Sequence, residues 1–181
     1  MFFVIGFVFL GLTGHSQVDD PKDHKLWLDA GVGLFGNGKA GGLDLNFGLN
    51  LILNKTQFKL STKLLEELDL FGPKPSEKYS SVGILAGRGF SGKYAHAIFS
   101  GGIGITWGSM RGDLSASQPP GLAGGPYYKK ELFSSVSIPL EIDLMFKPFK
   151  FLGVGFSIFG DLNFKRSYFG YGVKIGIGKL H

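Results

Sequence analysis

The sequence predicts an all-β fold: an eight-stranded antiparallel up-and-down transmembrane β-barrel, preceded by a cleavable signal peptide. Three observations carry this. First, residues 151–164 alternate with a period of two. Leu152, Val154, Phe156, Ile158, Leu162 and Phe164 share one parity, and Gly153, Gly155, Ser157, Asp161 and Asn163 share the other. Such alternation marks a strand with one apolar and one polar face. It persists for about the 9–11 residues that cross a bilayer as a tilted strand. Second, 44% of the residues are apolar, yet beyond the first dozen no apolar run is long enough for a membrane helix. Third, the chain holds 30 glycines and 18 phenylalanines, which suit tight lumens and aromatic membrane boundaries.

The first segment, 1–16, reads as a signal peptide. Residues 2–12 form its apolar core, and Gly14 and Ser16 are the small residues of a cleavage site before Gln17. Residues 17–181 are expected to form one barrel domain. Eight alternating segments follow. The first is 26–35 and the second 43–53, where Leu43, Leu45, Phe47, Leu49 and Leu51 alternate with Asp44, Asn46, Gly48 and Asn50. The third is 57–70. Leu64, Leu65 and Leu68 would also fit a helical turn, but a helix there would leave barrel edges unpaired in lipid, at several kcal/mol per backbone group. The remaining segments are 78–88, 95–110, 133–146, 151–164 and 168–180. Residues 111–131 read as the longest loop, rich in proline and glycine.

Connection lengths fix an orientation. Both termini of such barrels lie in the periplasm, where turns are short, while outer loops are longer. The connections after segments two, four and six (54–56, 90–94 and 147–150) are short, and the longest follows segment five; the short final outer turn, 165–167, alone does not follow the pattern. Pro139 falls inside the sixth segment, removes a ladder donor, and predicts a local bulge.

The charges share the inward parity. Asp29, Asp44, Lys59, Lys63, Glu67, Asp69, Glu141, Asp143, Asp161 and Lys174 are expected to form a polar network in the lumen. Glu66 and Arg88 break parity near strand ends, where an outward charge costs little. Acids outnumber bases in this set. A cation site or proton path would use that excess, and a closed plug of ion pairs is the expected alternative. Phe146, Phe149 and Phe151 at one boundary, and Trp107, Phe164 and Phe169 at the other, read as interface girdles. Lys39, Lys74, Lys78, Arg111, Lys129, Lys130, Lys165 and Arg166 fall on the outer loops and could meet glycolipid phosphates.

Several chemistries are excluded or disfavoured. With no cysteine, thiol catalysis and cysteine-bound metal are absent. The net charge is +5, but no basic cluster interleaved with aromatics suggests nucleic acid. Arg111-Gly-Asp113 spells an integrin-type tripeptide, from which no adhesion is inferred. His96 and Ser100 lie four residues apart on a strand, roughly 13 Å, too far for a nucleophile–base pair. No catalytic residue, cofactor or metal site is expected.

The motifs Ser137-Ile-Pro-Leu-Glu-Ile142, Lys147-Pro-Phe-Lys-Phe-Leu-Gly-Val-Gly155, Asp161-Leu-Asn-Phe-Lys-Arg-Ser167 and Ile175-Gly-Ile-Gly-Lys-Leu180 resemble small outer-membrane β-barrel proteins of Bacteroidota. These are similar in architecture to the OmpA/OmpX-type barrels. The resemblance implies a bacterial outer-membrane location, lipid and glycolipid contacts, the barrel assembly machinery during biogenesis, and a monomer. It implies a structural or surface-interaction protein rather than an enzyme. A narrow small-solute or ion channel is the alternative. A membrane-embedded lipid hydrolase and a soluble periplasmic barrel for an apolar ligand stand further off.

Overall fold

The alternation resolves into eight strands in the computed structural model, which describes residues 24–68, 73–92, 94–114 and 126–179. They are β1 (Lys25–Gly36), β2 (Gly41–Leu53), β3 (Thr56–Glu67), β4 (Lys78–Ser91), β5 (Ala95–Leu114), β6 (Tyr128–Phe146), β7 (Leu152–Asn163) and β8 (Tyr168–Gly178). Each pairs antiparallel with its sequence neighbours, and β8 pairs with β1 to close the barrel. Closure leaves no edge strand through the body of the sheet. The third segment is a strand, not a helix: Phe58, Leu60 and Leu64 face out, whereas Leu65 faces in and is buried. The leader, residues 1–16, lies outside the described residues, as do Asp69 and residues 180–181.

Two ends of the barrel differ. At the terminal end, where β1 begins and β8 finishes, the connections are tight. Asn54 and Lys55 have φ of 49° and 72° and join the paired residues Leu53 and Thr56. Positive φ at both centres is the two-residue hairpin turn whose twist matches the strands. At the far end β5 and β6 rise above their outer neighbours, at 20 and 19 residues. The expected loop at 111–131 is therefore shorter, because Arg111–Leu114 and Tyr128–Glu131 belong to strands.

The bulge expected at Pro139 is absent. Gly101 pairs with Leu140 and Gly104 with Ser137, so β5 and β6 stay in step on both sides of it. Next to Pro139 the pairing lapses across Gly102 and Ile103, while Pro139 stays paired with Asp161 on β7. The missing N–H is absorbed as a gap in one ladder, and no residue is inserted. The register shift lies instead between Arg111 and Leu114, at the far end.

The two faces divide as the alternation requires. Leu28, Val32, Leu45, Ile84, Ile103, Ile138, Ile158 and Val173 point away from the barrel and are exposed, Ile103 at 72%. The buried residues point inward and are mostly polar. The core of this fold is thus its lumen, wrapped in an apolar outer wall. Phe146, Phe149 and Phe151 ring the terminal end, the last two stacked with centroids 6.0 Å apart. Trp107, Phe164 and Phe169 are exposed toward the far end.

Candidate functional site

The middle of the lumen is an ion-pair network. Strand alternation turns Lys59 and Lys63 of β3, Glu141 and Asp143 of β6, Asp29 of β1 and Lys174 of β8 inward. β3 and β6 are not neighbours, so their side chains meet across the interior. Lys59 Nζ lies 2.6 Å from Glu141, 3.3 Å from Asp143 and 3.5 Å from Asp29. Lys174 Nζ donates to Glu141 at 2.6 Å and also to Asp143. Lys63 Nζ reaches Glu141 at 3.4 Å. Glu141 therefore receives three lysines. Gly48 makes room for this: a Cβ there would stand 2.6 Å from Asp29 Oδ1 and 2.7 Å from Lys59 Cε. Asn50 donates to Asp29, Gln57 to Asn50, and Asn46 to Asp44.

An aromatic layer lies above the network, toward the far end. Phe35, Leu65, Tyr79, Phe133, Phe159 and Tyr168 form one buried cluster. Lys63 Nζ sits 4.3 Å from the centroid of Phe159, a cation–π contact that joins the two layers. Asp161 accepts hydrogen bonds from Thr106 and Ser137, both at 3.1 Å. The Phe159 ring lies on Gly170, where a Cβ would come within 2.4 Å of Phe159 Cζ. Gly170→Leu should therefore destabilise the barrel by about 1–3 kcal/mol through overpacking, readable as a lower urea midpoint in micelles.

A charged clamp closes the far end. Arg111 donates to Glu67 at 2.6 and 2.9 Å and to the carbonyls of Pro73 and Lys39. Glu77 is fully buried and accepts hydrogen bonds from Tyr79, Arg166, Asn37 and the Arg111 backbone N–H. Burial pushes the Glu77 carboxyl up, but the Tyr79 and Arg111 hydrogen bonds and the Arg166 charge outweigh it and hold it below its ordinary 4.5. A depressed carboxylate stabilises the folded state above its unfolded value, and that contribution is lost as pH falls through the folded one. The clamp should stay shut from neutral pH to about 4.5 and loosen below it. Amide exchange at Arg111 should then rise beyond the intrinsic pH effect, and Glu77→Gln should remove that dependence.

The lumen residues read from the sequence lie as follows. Asp29, Asp44, Lys59, Lys63, Glu141, Asp143, Asp161 and Lys174 are buried in the interior. Glu67 belongs to the far-end clamp. Of the loop basics, Arg111 is on β5, Lys78 on β4, and Lys129 and Lys130 on β6. Arg111 and Arg166 are turned into ion pairs, with side chains 8% and 12% exposed, so neither is a loop charge awaiting a ligand. The tripeptide 111–113 accordingly starts on a strand with its arginine occupied. Lys39, Lys129, Lys130 and Lys165 are exposed, Lys78 pairs with exposed Glu66, and Lys74 lies in the connection before β4. Missed were Glu77, the inward arginines and buried Lys147, all in turns or at strand ends where periodicity gives no signal.

The residues weighed for other chemistries lie as follows. His96 is buried against Trp27, centroids 5.5 Å apart, and Ser100 donates to the Glu141 backbone carbonyl. Both side chains are buried on the lumen parity, whereas a lipid hydrolase would need them facing lipid. A soluble barrel for an apolar ligand would require the long apolar strand faces to turn inward, whereas those of Leu28, Ile84, Ile103, Ile158 and Val173 face out. Among the described residues, no group of three or more His, Asp or Glu is placed to hold a metal ion.

No family profile matches the chain, and no curated protein matches it significantly in sequence. Solved structures do match. Neisserial surface protein A aligns with a TM-score of 0.62 at 11% identity, over 85% of this chain and 96% of that one. The fold is that of the small eight-stranded outer-membrane barrels. The N-terminal barrel domain of Pseudomonas aeruginosa OprF follows at 0.56 and 11%, covering 85% and 96%. Ail, the attachment invasion locus protein of Yersinia pestis, aligns at 0.53 and 13%, covering 86% and 97%. The OmpA/OmpX-like architecture expected from the sequence is thus the observed one.

Proposed function

We propose that this chain is an integral protein of a bacterial outer membrane, of structural or surface-interaction type, with a plugged lumen and no catalytic activity. The observation that carries the reading is the inversion of faces. Apolar side chains cover the outside of the barrel, while the middle of the buried interior is filled by ion pairs and hydrogen bonds with an aromatic layer above them. In water that arrangement would expose a large apolar surface; in lipid it satisfies every strand. The terminal-end turns are all short and the two longest connections, 68–77 and 115–127, lie at the far end, which supports a periplasmic terminal end and an external far end. The exposed elements are then the raised β5–β6 hairpin and its connection, which suit contact with a partner or with the membrane's own lipid. Ail, similar in fold, is by name an attachment protein.

The channel alternative is weakened by what fills the lumen. Lys59, Lys174, Glu141 and Asp143 meet across it, and the aromatic cluster and the clamp lie above them. In planar bilayers the purified protein should give no steady unitary conductance. A reproducible ohmic conductance from folded protein would replace the plugged reading with a channel.

A further inference from the structure

Among the described residues, the outer wall carries an amphipathic notch near the far end. A groove of about 400 Å³ lies between β4, β5 and β6. The register explains it. Ser109 sits between Lys78 on β4 and Leu132 on β6, and Trp107 sits between Ser80 and Ser134. Small residues beside large ones leave a hollow floored by Ser109, which is buried, and walled by Lys78, Trp107, Lys130 and Leu132. Lys130 is exposed, and Leu132 is 80% exposed. Lys78 is shared with Glu66, so two lysines and one glutamate leave the rim net positive. Below the rim the wall is apolar, through Val82, Ile105 and Val136.

We infer that this notch seats an anionic, phosphorylated acyl lipid of the outer leaflet, with its phosphate on Lys130 and Lys78 and a chain descending past Trp107. The inference rests on the membrane reading above. Charge and polarity together select the occupant. A soluble anion would leave Trp107 and Leu132 unused, and a neutral lipid would leave the lysines unanswered. Lysine at this height meets a phosphate as a point charge, and Trp at the interface stacks its ring against the upper acyl chain.

The test is quenching of Trp107 fluorescence by chain-brominated phosphatidylglycerol against chain-brominated phosphatidylcholine, using the folded full chain in nanodiscs. The only other tryptophan, Trp27, is buried in the lumen at the opposite end, and Trp107→Phe supplies the blank. Phosphatidylglycerol should half-quench at a roughly five-fold lower mole fraction, as for a basic residue at an anionic lipid surface. The preference should vanish in Lys78→Gln/Lys130→Gln and in Ser109→Leu, which fills the hollow with both lysines kept. It should survive in Lys39→Gln/Lys165→Gln. Equal quenching by both lipids, or a preference indifferent to Ser109→Leu, overturns the site and leaves the membrane reading standing. Absence of quenching by either lipid overturns both.

Discussion

Glu141→Ala should lower the stability of the folded barrel by about 3–5 kcal/mol, the cost of stranding buried charge. Glu141 is 2% exposed and takes Lys59, Lys63 and Lys174 within 2.6–3.4 Å. With it gone, Lys59 and Lys174 lean on Asp143, and Lys59 also on Asp29. Lys63 loses its carboxylate contact at 3.4 Å and is left with the nearby charge of Asp44 and the Phe159 ring. Glu141→Gln should fall between wild type and alanine, because it keeps acceptor geometry and loses the charge. Urea unfolding in micelles reads both. An alanine variant as stable as wild type would mean that the lysines find water, and that the lumen is open rather than packed.

The second large effect is expected on the opposite face. Ile103→Arg should cost about 2–4 kcal/mol of folding free energy in lipid, the range for a cation at the bilayer midplane. Ile103 is halfway along the paired length of β5, opposite Ile84, and points outward. Val154→Arg should cost less, roughly 0–1 kcal/mol. Val154 pairs with Phe146, one of the terminal-end ring of phenylalanines, so an arginine there can reach the interface. Ser157→Ala, inside the lumen, should be mild. Folding yield and urea midpoint in vesicles separate the three. Equal values would remove the depth assignment altogether.

Much of the barrel was legible because a period of two assigns faces without knowledge of partners. Leu43 to Leu53 fixed the lipid face of β2, and Asp44, Asn46 and Asn50 fixed its interior. Three things escaped. The lumen is not only polar: Trp27, Leu65, Phe159 and Tyr168 also face in, and alternation cannot distinguish a ring packed inside from one facing lipid when neighbours on both parities are apolar. Pro139 suggested a bulge because a missing donor is visible in sequence; the nearby glycines that let the ladder simply lapse are visible only once register is known. The far-end clamp joins residues far apart in sequence, Glu67, Glu77, Arg111 and Arg166. Each looked like an ordinary strand-end or loop charge, and only closure of the barrel brings them together.

The central claim is that this is a lipid-embedded barrel with its apolar face outward. Electrophoresis in SDS of the outer-membrane fraction, unboiled against boiled, tests it most directly. The account predicts that the protein is in that fraction and that its band shifts on boiling, as a detergent-resistant barrel unfolds. A protein recovered in the soluble periplasmic fraction, with no heat-dependent shift, would contradict it.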